Sequence, residues 1–150
     1  MTHADDVTWM ERAIELSRKC PPAGGAFSVG AIIVGADGEE LAHGYSRETD
    51  AHVHAEESAL AKLPADDSRL AGATLYSTLE PCSERKSRPL TCTQLILRSP
   101  LRRVVIAWRE PSLLVADCVG VETLQAEGIE VIELPELASR ARSLNTHLLP

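Results

Sequence analysis

Between residues 27 and 134 the hydrophobic period changes repeatedly, from short apolar runs suited to strands to segments at helical spacing and back. This alternation constrains the fold more than any other feature. The run over 27–34 is followed by Asp37-Gly38, a pair favoured in tight hairpin turns, which predicts antiparallel strands at 27–34 and about 39–45. Residues 51–63 are rich in Ala, Glu, Leu and Lys, with Ala55, Ala59 and Leu63 recurring every four residues, and predict a helix. A strand over 74–79 runs out at Glu80-Pro81. Thr91 caps a short helix over 92–99 that Pro100 closes, and 104–108 is a buried strand. A helix over 113–127 ends at Gly128, a strand follows over 129–134, and Pro135 opens a terminal helix through about Leu144. Upstream, Val7, Met10, Ala13, Ile14 and Ser17 mark a first helix that the Asp5-Asp6 pair caps and Pro21-Pro22 stops. Strands that alternate with helices need crossovers on both faces of a largely parallel sheet, here a three-layer α/β/α sandwich around a mixed sheet of five strands.

At 150 residues the chain is expected to form a single domain, 1–150. Hydrophobic residues at 44% and charged residues at 25% suit an ordinary globular core. A net charge of -7 repels a phosphate backbone, and 3% aromatics leave little surface for stacking bases, so nucleic acid is not the expected partner. No apolar run reaches the roughly 18 residues of a membrane span, and the charged N-terminus does not suit a signal peptide. A cytoplasmic location without membrane association is therefore expected. In that compartment four cysteines point to metal or catalysis before disulfides.

His54, Cys82 and Cys92 carry that chemistry. One imidazole and two thiolates are three protein ligands, and a catalytic zinc site uses three and leaves a fourth position open. Glu56, two residues after His54, converges on the same point only if both lie in the first turn of the helix. Zinc lowers the pKa of a coordinated water to about 7, and an adjacent carboxylate that is not a ligand is placed to move its proton. Cys92 at a helix start gains support as a thiolate.

The segments HAEESAL and TLYSTLEPCSERKSRPLTC resemble the two zinc motifs of the cytidine-deaminase superfamily. VGAIIV, ATLYSTLEPCS and VVIAWREPSLLVADCVGVETLQAEGIEV are similar to the deaminase domain of riboflavin-biosynthesis enzymes, as is the long insert between the cysteines; the likeness covers roughly residues 8 to 134. The resemblance implies a cytidine-deaminase-like fold, a Zn²⁺ cofactor on His54, Cys82 and Cys92, and Glu56 as the catalytic proton shuttle. It implies hydrolytic removal of an exocyclic amine from a small-molecule aminopyrimidine, first of all a phosphorylated ribosylaminopyrimidine of riboflavin synthesis, and assembly as a homo-oligomer, dimer or tetramer.

Candidate substrate contacts are Phe27, Ser46, Ala55 and Glu84, together with Arg85 and Arg88 of the basic stretch between the cysteines. Three of these positions depart from that branch: Gly25-Ala26-Phe27 stands for its Pro-Asn-Pro, Ser46 for a loop histidine, and Glu84 for the histidine two after the first zinc cysteine. A reductase often follows the deaminase in that branch, and since the chain ends at Pro150 reduction is expected from another protein.

Arg85, Lys86, Arg88, Arg98, Arg102 and Arg103 against Glu84 alone make residues 81–104 a basic island. It reads equally as a solvated loop or as a phosphate-reading rim in which arginine clamps and lysine acts as a point charge. Cys20 and Cys118 read as inert small hydrophobes, and His3, His43, His52 and His147 as solvated or structural, with His52 near enough for the rim. Two competing functions remain: a cytosine- or guanine-type nucleoside or nucleotide deaminase, including one of secondary metabolism, and a zinc-binding module without turnover. The intact Glu56 argues against the module.

Overall fold

A computed structural model of the chain describes residues 2–83, 85, 88–109 and 119–148. Helix α1 (His3–Ser17) is capped by Thr2, three residues before Asp5 of the expected capping pair. The Thr2 hydroxyl accepts the Asp5 amide at 3.1 Å and the Asp5 carboxylate accepts the Thr2 amide at 3.0 Å, a reciprocal cap that leaves Asp6 free to turn inward. Asp6 is buried, takes hydrogen bonds from Tyr76 at 2.6 Å and from Arg103 at 3.0 and 2.7 Å, and ties α1 to the sheet.

Strands β1 (Gly30–Val34) and β2 (Glu40–Tyr45) form the expected hairpin, turned with Gly38 at φ +83°, where glycine carries no steric cost. β1 begins at Gly30 and not at Phe27, because the preceding residues leave the sheet to wall a cavity. Helix α2 (Ala55–Ala61) is shorter than expected, since the extended backbone of His54 stands as its N-cap and the Asp50 carboxylate holds the His52 amide in a turn at 2.8 Å.

β3 (Thr74–Leu79), α3 (Cys92–Arg98), β4 (Arg103–Trp108) and β5 (Glu130–Glu133) lie where the pattern places them. α4 spans Gly120–Ala126, with Val119 as its N-cap; residues 113–118 of the expected helix, with Cys118, lie outside the described residues. The terminal helix is broken, with α5 (Ala138–Arg142) flanked by short 3₁₀ turns at Pro135–Leu137 and Ser143–Leu148. At that junction the Ser143 hydroxyl donates to the Arg140 carbonyl at 2.7 Å and competes with the helical pattern.

The sheet order is β2-β1-β3-β4-β5, with β1 antiparallel to both neighbours and β3, β4 and β5 parallel. The expected mixed five-stranded sheet is therefore present, with helices on both faces. α1 and α5 cover one face, joined by an Arg140–Glu11 ion pair, while α2, α3 and α4 adjoin one another on the other. β1 and β3 are buried along their whole length because both their faces are covered. Two glycines allow that approach. A Cβ on Gly30 would sit 1.9 Å from the Ala13 carbonyl oxygen of α1, and one on Gly44 would sit 2.6 Å from the Ala55 carbonyl oxygen of α2.

Candidate active site

The site forms beyond the carboxyl end of β3, where α/β sheets usually bind ligands. β3 delivers Cys82, α2 opens directly after His54, and α3 begins at Cys92. His54 Nδ1 lies 3.5 Å from Cys82 Sγ and 3.4 Å from Cys92 Sγ, and the three ligand atoms all fall within 4.8 Å of one another. Tetrahedral zinc with bonds of about 2.3 Å to sulfur and about 2.0 Å to nitrogen separates such atoms by about 3.5 Å. The donor set and its spacing fit Zn²⁺, the cofactor expected from the sequence.

The backbone holds this arrangement. The Cys92 amide donates to Cys82 Sγ at 3.3 Å and the Thr93 amide to the Cys82 carbonyl at 3.2 Å, so the start of α3 is stitched to the end of β3. The two thiols are unequal without a metal. Cys82 is pushed down by the hydrogen bond from Cys92 and by His54; Cys92 is pushed up by its hydrogen bond to Cys82 and by complete burial. Removing the second thiol proton needs a cation between them.

Glu56 sits in the first turn of α2, 4% exposed, and lines the same cavity as His54 and Cys82. Burial pushes its carboxyl up to about 7. The spacing of two between His54 and Glu56 works because His54 is in extended backbone and Glu56 already helical, which turns the side chains toward one point. Gly25, Ala26 and Phe27 form one wall of the cavity, whose volume is about 270 Å³, and Ser46, Val53, Ala55 and Leu79 also line it. Phe27 meets Trp108 edge-on with ring centroids 5.7 Å apart.

Phe27, Ser46, Ala55 and Arg85 thus reach the cavity, as does His52 at its rim. Ser46, however, uses its hydroxyl to accept the Val29 amide at 2.9 Å. Glu84 and Lys86 lie outside the described residues. The basic loop differs from the expectation of cations projecting around the mouth. The Arg85 side chain is only 3% exposed and donates to the His52 carbonyl at 2.6 Å and to Glu57 at 2.8 Å. Arg88 pairs with Asp50 and, at 3.4 Å, with Glu57, and does not line the cavity. The reason is local charge balance: carboxylates at 50 and 57, on the segment carrying His54, face the loop between the cysteines.

Sequence reading missed Glu57, which accepts the His54 amide at 3.2 Å and joins that ligand to the loop through Arg85. Its signal was present as a carboxylate three residues after a helix cap. It also missed Glu80, a buried cavity residue whose carboxylate accepts the Val121 amide of α4 at 2.8 Å. Contacts so far apart in sequence leave no periodic trace.

The model of the cytidine and deoxycytidylate deaminase zinc-binding region matches residues 3–108. The chain is 43% identical over 129 residues to a diaminohydroxyphosphoribosylamino-pyrimidine deaminase of Schizosaccharomyces pombe, covering 83% of this chain and 31% of that protein. It is 40% identical over 118 residues to the riboflavin biosynthesis protein RibD of Aquifex aeolicus, covering 79% and 31%. The chain thus spans about a third of the length of these relatives. A Thermotoga maritima diaminohydroxyphosphoribosylaminopyrimidine deaminase/5-amino-6-(5-phosphoribosylamino)uracil reductase superposes with a TM-score of 0.78 at 37% identity, covering 95% of this chain and 39% of that one. An Aspergillus oryzae Rib2 deaminase shares the fold, with a TM-score of 0.72 at 23% identity over 96% of this chain and 98% of that one. Among the described residues no helix is long and apolar enough to cross a membrane. With its zinc motifs and its sheet both accounted for, the chain belongs to the cytidine and deoxycytidylate deaminase zinc-binding family.

Proposed function

We propose that residues 1–150 act as a single zinc-dependent hydrolytic deaminase domain on a phosphorylated ribosylaminopyrimidine of riboflavin synthesis. The reaction consumes water, replaces an exocyclic ring amine by a carbonyl oxygen and releases ammonia. The observation that carries this reading is a cluster of three zinc-type ligands within 4.8 Å of one another, two of which, His54 and Cys82, line one cavity together with the buried carboxylate of Glu56. When bound, zinc supplies the Lewis acidity that makes water a nucleophile near neutral pH. His54, Cys82 and Cys92 hold it. Glu56 takes the proton of the attacking water on its carboxylate and returns it toward the departing nitrogen. Phe27, Val53 and Ala55 supply apolar surface for the ring.

Among the described residues of the loop between the cysteines, Arg85 lines the cavity, and a substrate phosphate would compete with Glu57 for its guanidinium. The names of the relatives support the riboflavin substrate. The reading includes assembly as a homo-oligomer, dimer or tetramer, which light scattering measures.

The deciding experiment is ammonia release by the zinc-loaded protein over aminopyrimidines, nucleosides and nucleotides, each with and without phosphate. The highest kcat/KM is expected on the phosphorylated ribosylaminopyrimidine. Turnover confined to cytosine or guanine derivatives would assign the enzyme to nucleoside or nucleotide metabolism. No turnover on any compound would leave a zinc-binding module.

A further inference from the structure

The cavity wall at residues 25–27 belongs to a loop, 21–28, that holds no place in the sheet or in any helix. Among the described residues this loop makes no hydrogen bond from main chain to main chain. Gly24 and Gly25 meet nothing within 4 Å where a Cβ would stand, so packing does not fix the loop there either. Side chains from two distant segments take its polar groups instead.

Arg47, which itself lines the cavity, donates to the Pro21 carbonyl at 3.0 Å, the Phe27 carbonyl at 3.2 Å and the Ser28 hydroxyl at 2.8 Å. Its backbone lies at φ +63°, a conformation that bulky residues adopt rarely and keep only when their surroundings enforce it. From the C-terminal segment, Asn145 accepts the Ser28 amide at 2.7 Å and donates to the Ser28 carbonyl at 3.2 Å, imitating a strand partner. His147 adds a contact at 3.1 Å to the Ala23 carbonyl. Asn145 is 1% exposed and lies behind the wall, outside the cavity lining.

We infer that Arg47 and Asn145 are positioning residues that clamp the loop carrying the wall at residues 25–27, through Pro21, Phe27 and Ser28, and thereby set how the substrate ring is held. The kinetic form of this inference rests on the deaminase reading; the structural form does not. The zinc ligands and Glu56 come from other elements, so loosening the wall weakens substrate capture and leaves the metal site intact.

The test is the zinc-loaded Asn145→Ala protein, followed by hydrogen exchange and by steady-state kinetics on the phosphorylated ribosylaminopyrimidine. The expected result is Ser28 amide exchange about tenfold faster and KM about tenfold higher, with kcat within about threefold and zinc content unchanged. Asn145→Asp retains the acceptor for the Ser28 amide but loses the donor, and should recover part of both effects. If Asn145→Ala does not fold, Arg47→Lys carries the hydrogen-exchange arm of the test, because one ammonium cannot span the three acceptors of the guanidinium; Arg47 also lines the cavity, so the KM arm stays with Asn145→Asp. Unchanged Ser28 exchange, or a fall in kcat and zinc content with KM unaltered, overturns the inference. Should the parent show no turnover, the deaminase reading fails by itself. Ser28 exchange then decides the clamp, and unaltered protection in Asn145→Ala refutes it.

Discussion

Replacing Glu56 by glutamine keeps the side-chain volume and removes its proton chemistry. Glu56 is 4% exposed, and burial raises its carboxyl from 4.5 to about 7 in the metal-free chain. A carboxyl whose folded pKa lies above its unfolded value binds its proton more tightly when folded. It therefore favours folding at low pH, and the advantage is lost as pH rises from about 4.5 through 7. At 1.36 kcal/mol for each pH unit between those values, the loss is about 3 kcal/mol. Urea unfolding of both proteins, stripped of zinc and kept reduced, measures it between about pH 5 and pH 8. His54 and the two cysteines titrate in both chains, and only their coupling to the Glu56 charge survives in the difference, so Glu56→Gln should gain on the parent by about 3 kcal/mol as pH rises. Rebinding zinc should shrink that gain, because a cation beside the carboxylate opposes the cost of burying its charge. The same variant should retain zinc and lose about 10² to 10⁴ in kcat. A stability difference independent of pH would refute the buried placement of Glu56, and undiminished turnover would refute its role as proton shuttle.

Metal analysis should find about one zinc per chain in the parent and a clear loss in Cys82→Ser and Cys92→Ser, since each removes one of three ligands. Asp6→Asn leaves Arg103 in a site built for a charge pair and should cost about 3 kcal/mol, lowering Tm by roughly 6–12 °C. Burial alone would raise the Asp6 carboxyl, but hydrogen bonds from Arg103 and Tyr76 hold it below its ordinary 3.8; its contribution is present above that pH and fades as pH falls below it, so the deficit of Asp6→Asn in urea titrations should narrow in acid. Gly44→Ala places a Cβ 2.6 Å from the Ala55 carbonyl oxygen and 2.7 Å from the Ala59 amide nitrogen, so α2 must move and carry His54 with it. Weaker zinc retention, measured by chelator competition, should accompany its loss of stability.

Much of this molecule is legible from local pattern alone. The strand at Thr74–Leu79 and the helix opening at Cys92 follow from residue type and spacing, because β-branched runs and caps act over a few residues. The three ligands and Glu56 are legible for a related reason: metal chemistry admits few residue types and requires them near element ends. Tertiary structure decided which charges are available to a substrate. Arg85 and Arg88 read as a rim cluster in the sequence, but Asp50 and Glu57 meet them across the fold. It likewise turned Asp6 from a cap into a buried partner of Arg103, 97 residues away, and set Asn145 against Ser28, 117 residues away. Periodicity records which face of an element is buried, whereas the pairing of individual polar groups depends on how the elements are brought together, and no local pattern encodes that.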